Sequence, residues 1–436
     1  MRHALALLEN VIIPPMIRLR EPQGENDAIS DVAAAVLDTL EASAIRERVY
    51  PGMTVAVGVG SRGVANLPVI VRSVIDWLHG KGAKPFIIPA MGSHGGVDAA
   101  SQKSLLAEYG VTEERMDCPV RSSMDAVHLA SLSDDLEVFC DPYAAEADGI
   151  FVINKIKPHN AFRAANESGI VKMLAIGLGK QKGAASCHKY GFERIAERLA
   201  SVAGYMMQHQ NDRGARSVLG GLALVENRNH ATCRIEAVPV EDMFARDAAL
   251  LELAWEKMAR LPVDRLDGLI LDEMGKNISG SGMDPNVLGR YTVPFLRGGP
   301  VINKIAVLRL TPESEGNAIG MGLADCISRR LYDAIDFENV YANALTSTVL
   351  FGSRTPCTLP SDRDVVRAVV RTCNGGGPDA IRLIRARSTL HLDILDASPA
   401  LVPELLEKGW VAQGEATPMD FDAEGNLSGI ASLRDA

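Results

Sequence analysis

An alternation of apolar runs with a helical stretch near the N-terminus restricts the fold more than any other part of this 436-residue chain. A β-rich apolar run, Met53–Val57, leads through a glycine-rich turn, Gly58–Gly63, into the helical stretch Leu67–Leu78, and a second apolar run follows at Pro85–Pro89. Strand, helix and strand in this order form a βαβ unit, whose two strands lie parallel in one sheet. The pattern therefore predicts an α/β fold.

The same alternation of strand-like runs and helices continues to the C-terminus. Because the chain exceeds the length of one ordinary core, we predict two α/β domains with an active-site cleft between them. A glycine-rich stretch that follows the apolar run 267–273 marks the boundary. Residues 1–275 are predicted to form an N-terminal domain with the catalytic and cofactor residues, and residues 276–436 a C-terminal domain that closes the cleft.

Composition excludes several classes of function. The formal net charge of −10 disfavours nucleic acid and anionic membranes as partners, because both need basic patches. No run of 18 apolar residues occurs, and Glu9 and Asn10 interrupt the apolar N-terminal run, so neither a membrane span nor a secretory signal is predicted. The seven cysteines lack CxxC spacing, which argues against structural zinc and a disulfide framework. We expect a cytoplasmic protein that acts on a small molecule.

Residues 154–191 gather histidines, lysines and glycines between two apolar runs. His159 follows the strand-like run Gly149–Ile153, and Lys172 lies directly before another, Met173–Ile176. Both are therefore expected at strand ends, where open α/β sheets bind their ligands. This segment is predicted to form the functional site.

A glycine-rich run with two lysines, Gly177–Gly183, lies between Lys172 and His188. Backbone N–H groups and ammonium charges in a loop of this composition can bind a phosphate. We predict that Lys180 and Lys182 hold the phosphate of a cofactor.

Three more polar residues follow apolar runs and are expected near the same edge. Arg62 lies in the turn after the first run, His94 in the turn Met91–Gly96 after the second, and Lys276 after the run that ends at Glu273. An arginine can bind a carboxylate through two parallel hydrogen bonds. We predict Arg62 and Lys276 as the groups that bind an anionic substrate.

Histidines and a lysine at one edge are compatible with several chemistries. His94, His159 and His188 could hold a metal ion for hydrolysis, although they lack the HxH or HExxH spacing of common zinc sites. Lys172 could instead form a Schiff base. A metal- or lysine-dependent hydrolase or lyase acting on a small carboxylate, and a non-catalytic protein that binds one, both stay open on the residues alone.

The order and approximate spacing of Arg62, His94 in Gly-Ser-His, His159 in Pro-His, Lys172 and His188 resemble the nickel-pincer-dependent lactate racemase family over about the first half of the chain. The resemblance implies that Lys172 covalently holds a nickel-pincer nucleotide, which is a pyridinium mononucleotide with two sulfur-bearing arms. It implies that His188 is the protein ligand of Ni(II), and that His94 and His159 are the acid/base pair. Enzymes that synthesise the cofactor would then be partners.

A reaction that interconverts two enantiomers explains the need for two histidines. When C2 of a 2-hydroxy acid loses hydride, the hydroxyl must lose its proton, and the two enantiomers present that hydroxyl to opposite sides. Imidazole can accept a proton in one direction and return it in the other. Val59 and Gly95 replace an acidic residue and an arginine that are usual in the family, beside the substrate. The prediction is therefore a 2-hydroxy-acid racemase or epimerase, with the substrate unassigned.

Overall fold

The chain is an α/β protein, and the computed structural model describes residues 2–22, 27–60, 63–94, 98–210 and 217–430. Its strands are β1 (Ile17–Arg20), β2 (Thr54–Val59), β3 (Lys84–Pro89), β4 (Val127–Ser133), β5 (Leu136–Cys140), β6 (Gly149–Lys155), β7 (Val218–Glu226), β8 (Thr232–Pro239), β9 (Arg265–Met274), β10 (Val301–Leu310), β11 (Cys326–Ser328), β12 (Cys357–Leu359), β13 (Leu383–Ala386), β14 (Ile394–Ala397) and β15 (Val411–Ala412). Its α-helices are α1 (Arg2–Ala6), α2 (Val32–Ala42), α3 (Leu67–Gly80), α4 (Ala99–Glu108), α5 (Glu113–Met116), α6 (Pro142–Ala145), α7 (Ile170–Lys172), α8 (Lys180–His188), α9 (Gly191–Gln208), α10 (Met243–Lys257), α11 (Pro285–Leu288), α12 (Arg329–Asp333), α13 (Phe337–Ser347), α14 (Asp362–Thr372) and α15 (Val402–Glu407). None of the helices in the described ranges is long and apolar enough to span a bilayer.

Residues 26–258 form one compact unit around a five-stranded sheet with the order β3-β2-β6-β7-β8. The first four strands of this order run parallel, and β8 pairs antiparallel with β7. Successive residues of β2 belong to different core clusters: Val55 and Val57 pack with α2 and α3, and Ala56 packs with the cluster that contains α9 and α10. Both faces of the sheet are therefore buried, which explains why its strands are nearly continuous apolar runs in the sequence.

The order of the strands creates a crevice at the carboxyl edge of this sheet. β2 is hydrogen-bonded to β3 on one side and to β6 on the other. The chain leaves β2 towards α3 on one face of the sheet and leaves β6 towards α7 and α9 on the other face. Connections that diverge from adjacent parallel strands leave a ligand-binding crevice between them. The loop that contains His159 starts at this point.

Residues 1–25 and 259–436 form the other compact unit. Its eight-stranded sheet has the order β12-β11-β10-β9-β13-β14-β1-β15, in which β12 to β13 run parallel and the last three strands are antiparallel additions. One of these three, β1, comes from the N-terminal end of the sequence and pairs with two strands from its C-terminal end.

This division differs from the predicted boundary at residue 275 in two places. β1 pairs with β14 and β15 instead of joining the N-terminal sheet, with Ile17 opposite Ala397. β9 is a central strand of the C-terminal sheet, paired with β10 on one side and β13 on the other. Both differences come from long-range strand pairing, which a local hydrophobic pattern does not reveal.

Candidate functional site

A buried acid holds the loop that follows β6. The backbone N–H of His159 donates to Glu167 Oε2 at 2.6 Å, and the N–H of Ala164 donates to Oε1 at 3.2 Å. Arg163 Nη1 lies 3.6 Å from Glu167 Oε2 and donates to the His159 carbonyl at 2.6 Å. Burial raises the pKa of Glu167, while these backbone donors and the charges of Arg163 and Lys172 act to lower it. The carboxylate therefore fixes the backbone of His159 close to Lys172.

The imidazole of His159 is held in one orientation. Its Nδ1 accepts the backbone N–H of Ala161 at 3.0 Å, and its ring packs against Phe162 and Phe192 at centroid distances of 4.4 and 5.6 Å. Because Nδ1 accepts a hydrogen bond, the neutral ring carries its hydrogen on Nε2. In this orientation His159 can donate a hydrogen bond from Nε2.

His188, the last residue of α8, has a buried ring nitrogen without a partner. Its Nδ1 makes no hydrogen bond with the residues that the structure describes, and its ring meets the edge of Phe192 at a centroid distance of 5.1 Å. Burial, together with a smaller effect of the positive charge of Lys172, lowers the pKa of His188 to about 4. The imidazole is therefore neutral at pH 7, which is the form that binds a metal ion.

His159 and His188 lie close to one another because both rings contact Phe192. Their centroids are 5.6 and 5.1 Å from the same phenyl centroid, so the two imidazoles are separated by at most the sum of these distances. The structure thus brings together two of the predicted histidines. Lys172 joins them through its electrostatic effect on His188.

Lys172 lies on a helix rather than at the end of a strand. It is the last residue of α7, and the following apolar run, Met173–Gly177, is a π-helix. The predicted strand at Met173–Ile176 is therefore wrong. A short run that is apolar throughout can be a buried strand or a buried helix, and periodicity alone does not distinguish them. π-Helical turns occur frequently at functional sites.

A second buried acid stabilises the start of α7. Asp247, from α10, accepts the backbone N–H of Val171 at 3.1 Å and the side-chain amide of Asn166 at 3.1 Å. Gly169, at the N-cap, provides no capping side chain, and a Cβ there would lie 2.2 Å from Asp247 Oδ2. Burial raises the pKa of Asp247 to about 6, against the lowering effect of its hydrogen bonds. The helix that ends at Lys172 is thus capped by a distant carboxylate.

The glycine-rich run Gly177–Gly183 is not a phosphate loop, and the predicted role of Lys180 is wrong. Lys180 begins α8 with a φ of 55°, and its fully buried Nζ donates to the Pro89 carbonyl at 2.6 Å and pairs with the buried Asp141 at 2.8 Å. A Cβ on Gly177 would lie 2.7 Å from the Ala90 carbonyl oxygen, so this glycine permits close packing. The ammonium of Lys180 is used inside the protein and does not face a ligand.

Lys182 points away from this buried pair. It is exposed, and its Nζ lies 5.9 Å from the centroid of the Phe139 ring. Its predicted phosphate contact stays a prediction.

The turn that carries His94 packs against the π-helix. The buried side chain of Gln102 donates to the carbonyls of His94 and Gly92 at 2.7 and 3.2 Å. The N–H of Gly92 donates to the Gly177 carbonyl at 3.1 Å. Gly92 has a φ of 61° and lies so close to Ile176 that a Cβ would be 3.1 Å from its carbonyl oxygen. The exposed His94 is therefore attached to the segment that follows Lys172.

Two cationic side chains, Arg62 and Lys276, are predicted to bind the substrate, and the structure describes only the second. Arg62 lies outside the described residues. Lys276 belongs to the compact unit that contains residues 259–436, where its Nζ donates to Asn343 Oδ1 at 2.8 Å and to the Gly280 carbonyl at 3.0 Å. For both residues, binding of a substrate carboxylate stays a prediction.

Sequence reasoning missed Glu167, Asp247 and Phe192. Asp247 had a detectable signal, because it interrupts the apolar face of α10 formed by Met243, Leu250, Leu251 and Ala254. A charged residue at an apolar position of an amphipathic helix predicts a buried partner. Glu167 and Phe192 had no such signal.

Over the described ranges, no three His, Cys, Asp or Glu side chains come together in a group that could hold a metal ion.

Comparison with known proteins adds one structural similarity. No protein-family model and no curated protein match the sequence. The lactate racemase apoprotein from Thermoanaerobacterium thermosaccharolyticum is a solved structure that is similar to this chain, with a TM-score of 0.44 and 14% identity over 85% of this chain and 88% of that chain. An identity this low leaves substrate and reaction to be argued from the residues.

Proposed function

We propose that this chain is a nickel-pincer-dependent racemase or epimerase of a 2-hydroxy acid, with a reaction similar to that of lactate racemase. The observation that carries the proposal is the buried Nδ1 of His188, which has no hydrogen-bond partner in the described part of the chain. Its ring shares Phe192 with His159 and is electrostatically coupled to Lys172. These are three of the residues that the sequence resemblance names.

The residues present fit the proposed cofactor. A buried polar group without a partner costs about 1–3 kcal/mol, which a bound metal ion would offset. A neutral imidazole suits Ni(II), which favours square-planar sites with nitrogen ligands. One protein ligand is sufficient when the cofactor itself supplies two sulfurs and a carbon. Lys172 would hold the cofactor covalently, and His188 would bind its nickel.

When bound, the cofactor would accept hydride from C2 of the substrate and return it. The histidines of the chain would move the hydroxyl proton. With Nδ1 occupied by the Ala161 N–H, His159 presents Nε2–H and can donate a hydrogen bond to the substrate oxygen. To accept the proton of one enantiomer on Nε2, its ring must turn away from Ala161. His94 would serve the other enantiomer.

The test is co-expression of the full chain with cofactor-synthesis enzymes, followed by intact mass spectrometry and nickel analysis. Wild-type protein should carry nickel and an added mass, and it should racemise at least one member of a panel of 2-hydroxy acids. Lys172→Ala should lose the added mass and keep its fold. Lys182→Ala is the matched control, because this lysine is exposed, and it should keep the covalent adduct.

Two results would contradict the proposal. One is an adduct on a peptide that lacks Lys172. The other is turnover of a carboxylic ester or amide by the nickel-free protein, which would favour the hydrolase alternative.

A further inference from the structure

Two adjoining cavities lie along α14, within the unit that contains residues 259–436. They have volumes of about 320 and 230 Å³, and Val11 lines both. The larger cavity is also lined by Arg371, and the smaller by Arg363 and Arg367. We call these two adjoining cavities together the arginine groove. It is separate from the histidine site, which lies in the other unit.

The three arginines occupy one face of the helix. Positions four residues apart are neighbours on a helix surface, with a rise of about 6 Å between them. The row carries three positive charges: on the helix itself Asp362 pairs with Arg330, and the Asp364 carboxylate, which accepts from the Ser361 hydroxyl, offsets only part of them. Like charges at this spacing destabilise a helix by about 0.2–0.5 kcal/mol per pair. Binding of an external anion would therefore stabilise the helix.

Arg367, in the middle of the row, is the most informative residue. Its Nε is buried and has no hydrogen-bond partner among the described residues. Arg363 is partly engaged, since its guanidinium lies 5.1 Å from the Phe421 ring centroid and its Nη2 reaches the Asp422 carbonyl at 3.5 Å. A buried guanidinium N–H without an acceptor is costly unless a ligand provides one.

The opposite walls of the groove are apolar. They are formed by Ile12, Ile13, Ile381, Pro378, Pro418 and Met419. Guanidinium groups bind phosphate oxygens through two parallel hydrogen bonds, and a row at intervals of about 6 Å matches a ligand with several anionic groups. Apolar walls suit the organic part of such a ligand.

We propose that the arginine groove binds an elongated small molecule with two or more phosphate groups. The phosphates contact Arg363, Arg367 and Arg371, and the organic part contacts the apolar wall. The protein as a whole is acidic, with a formal net charge of −10, so long-range attraction does not explain binding of an anion here. Recognition comes from the local guanidinium groups.

The test is isothermal titration calorimetry of the full chain, without added nickel or cofactor, with inorganic triphosphate, pyrophosphate and orthophosphate at constant ionic strength. Triphosphate should bind most tightly and orthophosphate least. Arg367→Ala should weaken triphosphate binding about 10- to 100-fold, which corresponds to loss of a charge-assisted hydrogen-bond pair. The affinity of Arg367→Lys for triphosphate should lie between those of the wild type and Arg367→Ala. Lysine keeps the positive charge but cannot form the two parallel hydrogen bonds of a guanidinium.

Arg329→Ala is the matched control, since Arg329 is an exposed arginine of the same unit that pairs with Asp333 at 2.8 Å. It should bind triphosphate as the wild type does. If Arg367→Ala does not fold, the exposed Arg371→Ala provides the same test, with an expected loss of about 10-fold.

The proposal is overturned if triphosphate shows no saturable binding to the wild type, or if the Arg367 and Arg371 variants bind it with wild-type affinity. A parallel titration with succinate tests the class of ligand: binding of succinate without binding of triphosphate would also overturn the proposal, because the ligand would then be a dicarboxylate. None of these results depends on the proposed racemase activity.

Discussion

Lys180 and His188 lie at opposite ends of α8, and both bury a polar nitrogen, but only one of them has its partners. Lys180 donates to the Pro89 carbonyl and pairs with Asp141. His188 Nδ1 has no partner. A buried polar group with complete partners is part of the architecture, whereas one without partners is a candidate for a ligand contact. Substitutions at Lys180 should change stability, and substitutions at the proposed functional site around His188 should change activity.

The largest expected effect is on activity. In cofactor-loaded protein, His159→Gln should slow interconversion of the two enantiomers by about 10²- to 10⁴-fold, the usual cost of losing a general acid or base. Single-turnover hydride transfer should survive for one pure enantiomer, because His94 is proposed to serve that enantiomer. Stopped-flow spectroscopy of each enantiomer measures this. Wild-type rates with both enantiomers would show that His159 is not part of the acid/base pair.

The next effect tests the architectural end of α8. Lys180→Met should lower the free energy of unfolding by about 3–5 kcal/mol, because it leaves Asp141 buried without its charge partner. Lys180→Met combined with Asp141→Asn should recover much of this loss, since the remaining amide is neutral. Urea unfolding measures both. Lys182→Met, an exposed control, should change stability by less than about 0.5 kcal/mol; an equal loss there would remove the distinction between the two lysines.

The pH dependence of stability tests the burial of His188. Its pKa is about 4 in the folded protein against an ordinary value of 6.5. Between these values the unfolded chain binds a proton that the folded chain does not, so the free energy of unfolding falls as pH decreases from 6.5 to 4. This contribution amounts to about 3 kcal/mol.

Asp247 acts in the opposite direction over part of the same window. Its folded pKa is about 6, above the ordinary 3.8, so it contributes stability that is lost as pH rises through 6. The total profile is therefore flattened, and the comparison of wild type with His188→Asn isolates the histidine. Urea unfolding of the apoprotein from pH 4 to 7 should show that the variant loses less stability at low pH. Parallel profiles would mean that His188 is solvated.

The smallest expected effect concerns the start of α7. Gly169→Ala places a Cβ against the buried Asp247 carboxylate and should cost about 1–3 kcal/mol by overpacking. Gly80→Ala is the control, because a Cβ at Gly80, the last residue of α3, meets nothing within 4 Å. Thermal unfolding of both variants measures the two losses of stability. A loss no larger than that of Gly80→Ala would mean that Asp247 can move away without cost.

Some of the site could be predicted from the sequence. β3 and β6 are buried on both faces, so they appear as continuous apolar runs, and the positions of His94 and His159 after them follow from that pattern. The same signal failed for Met173–Gly177, since a run buried on all sides is apolar whether it is a strand or a helix.

The sequence by itself determined the α/β class, the strands of the parallel sheet and the edge at which their loops meet, because burial and periodicity are local properties of the chain. Only the tertiary structure decided which charges are satisfied. Asp141 reaches Lys180 and Asp247 reaches Val171 from distant parts of the sequence. Residues of the same type in one glycine-rich segment therefore have different roles. The energy of a buried polar group depends on its partners, and chain order does not specify those partners.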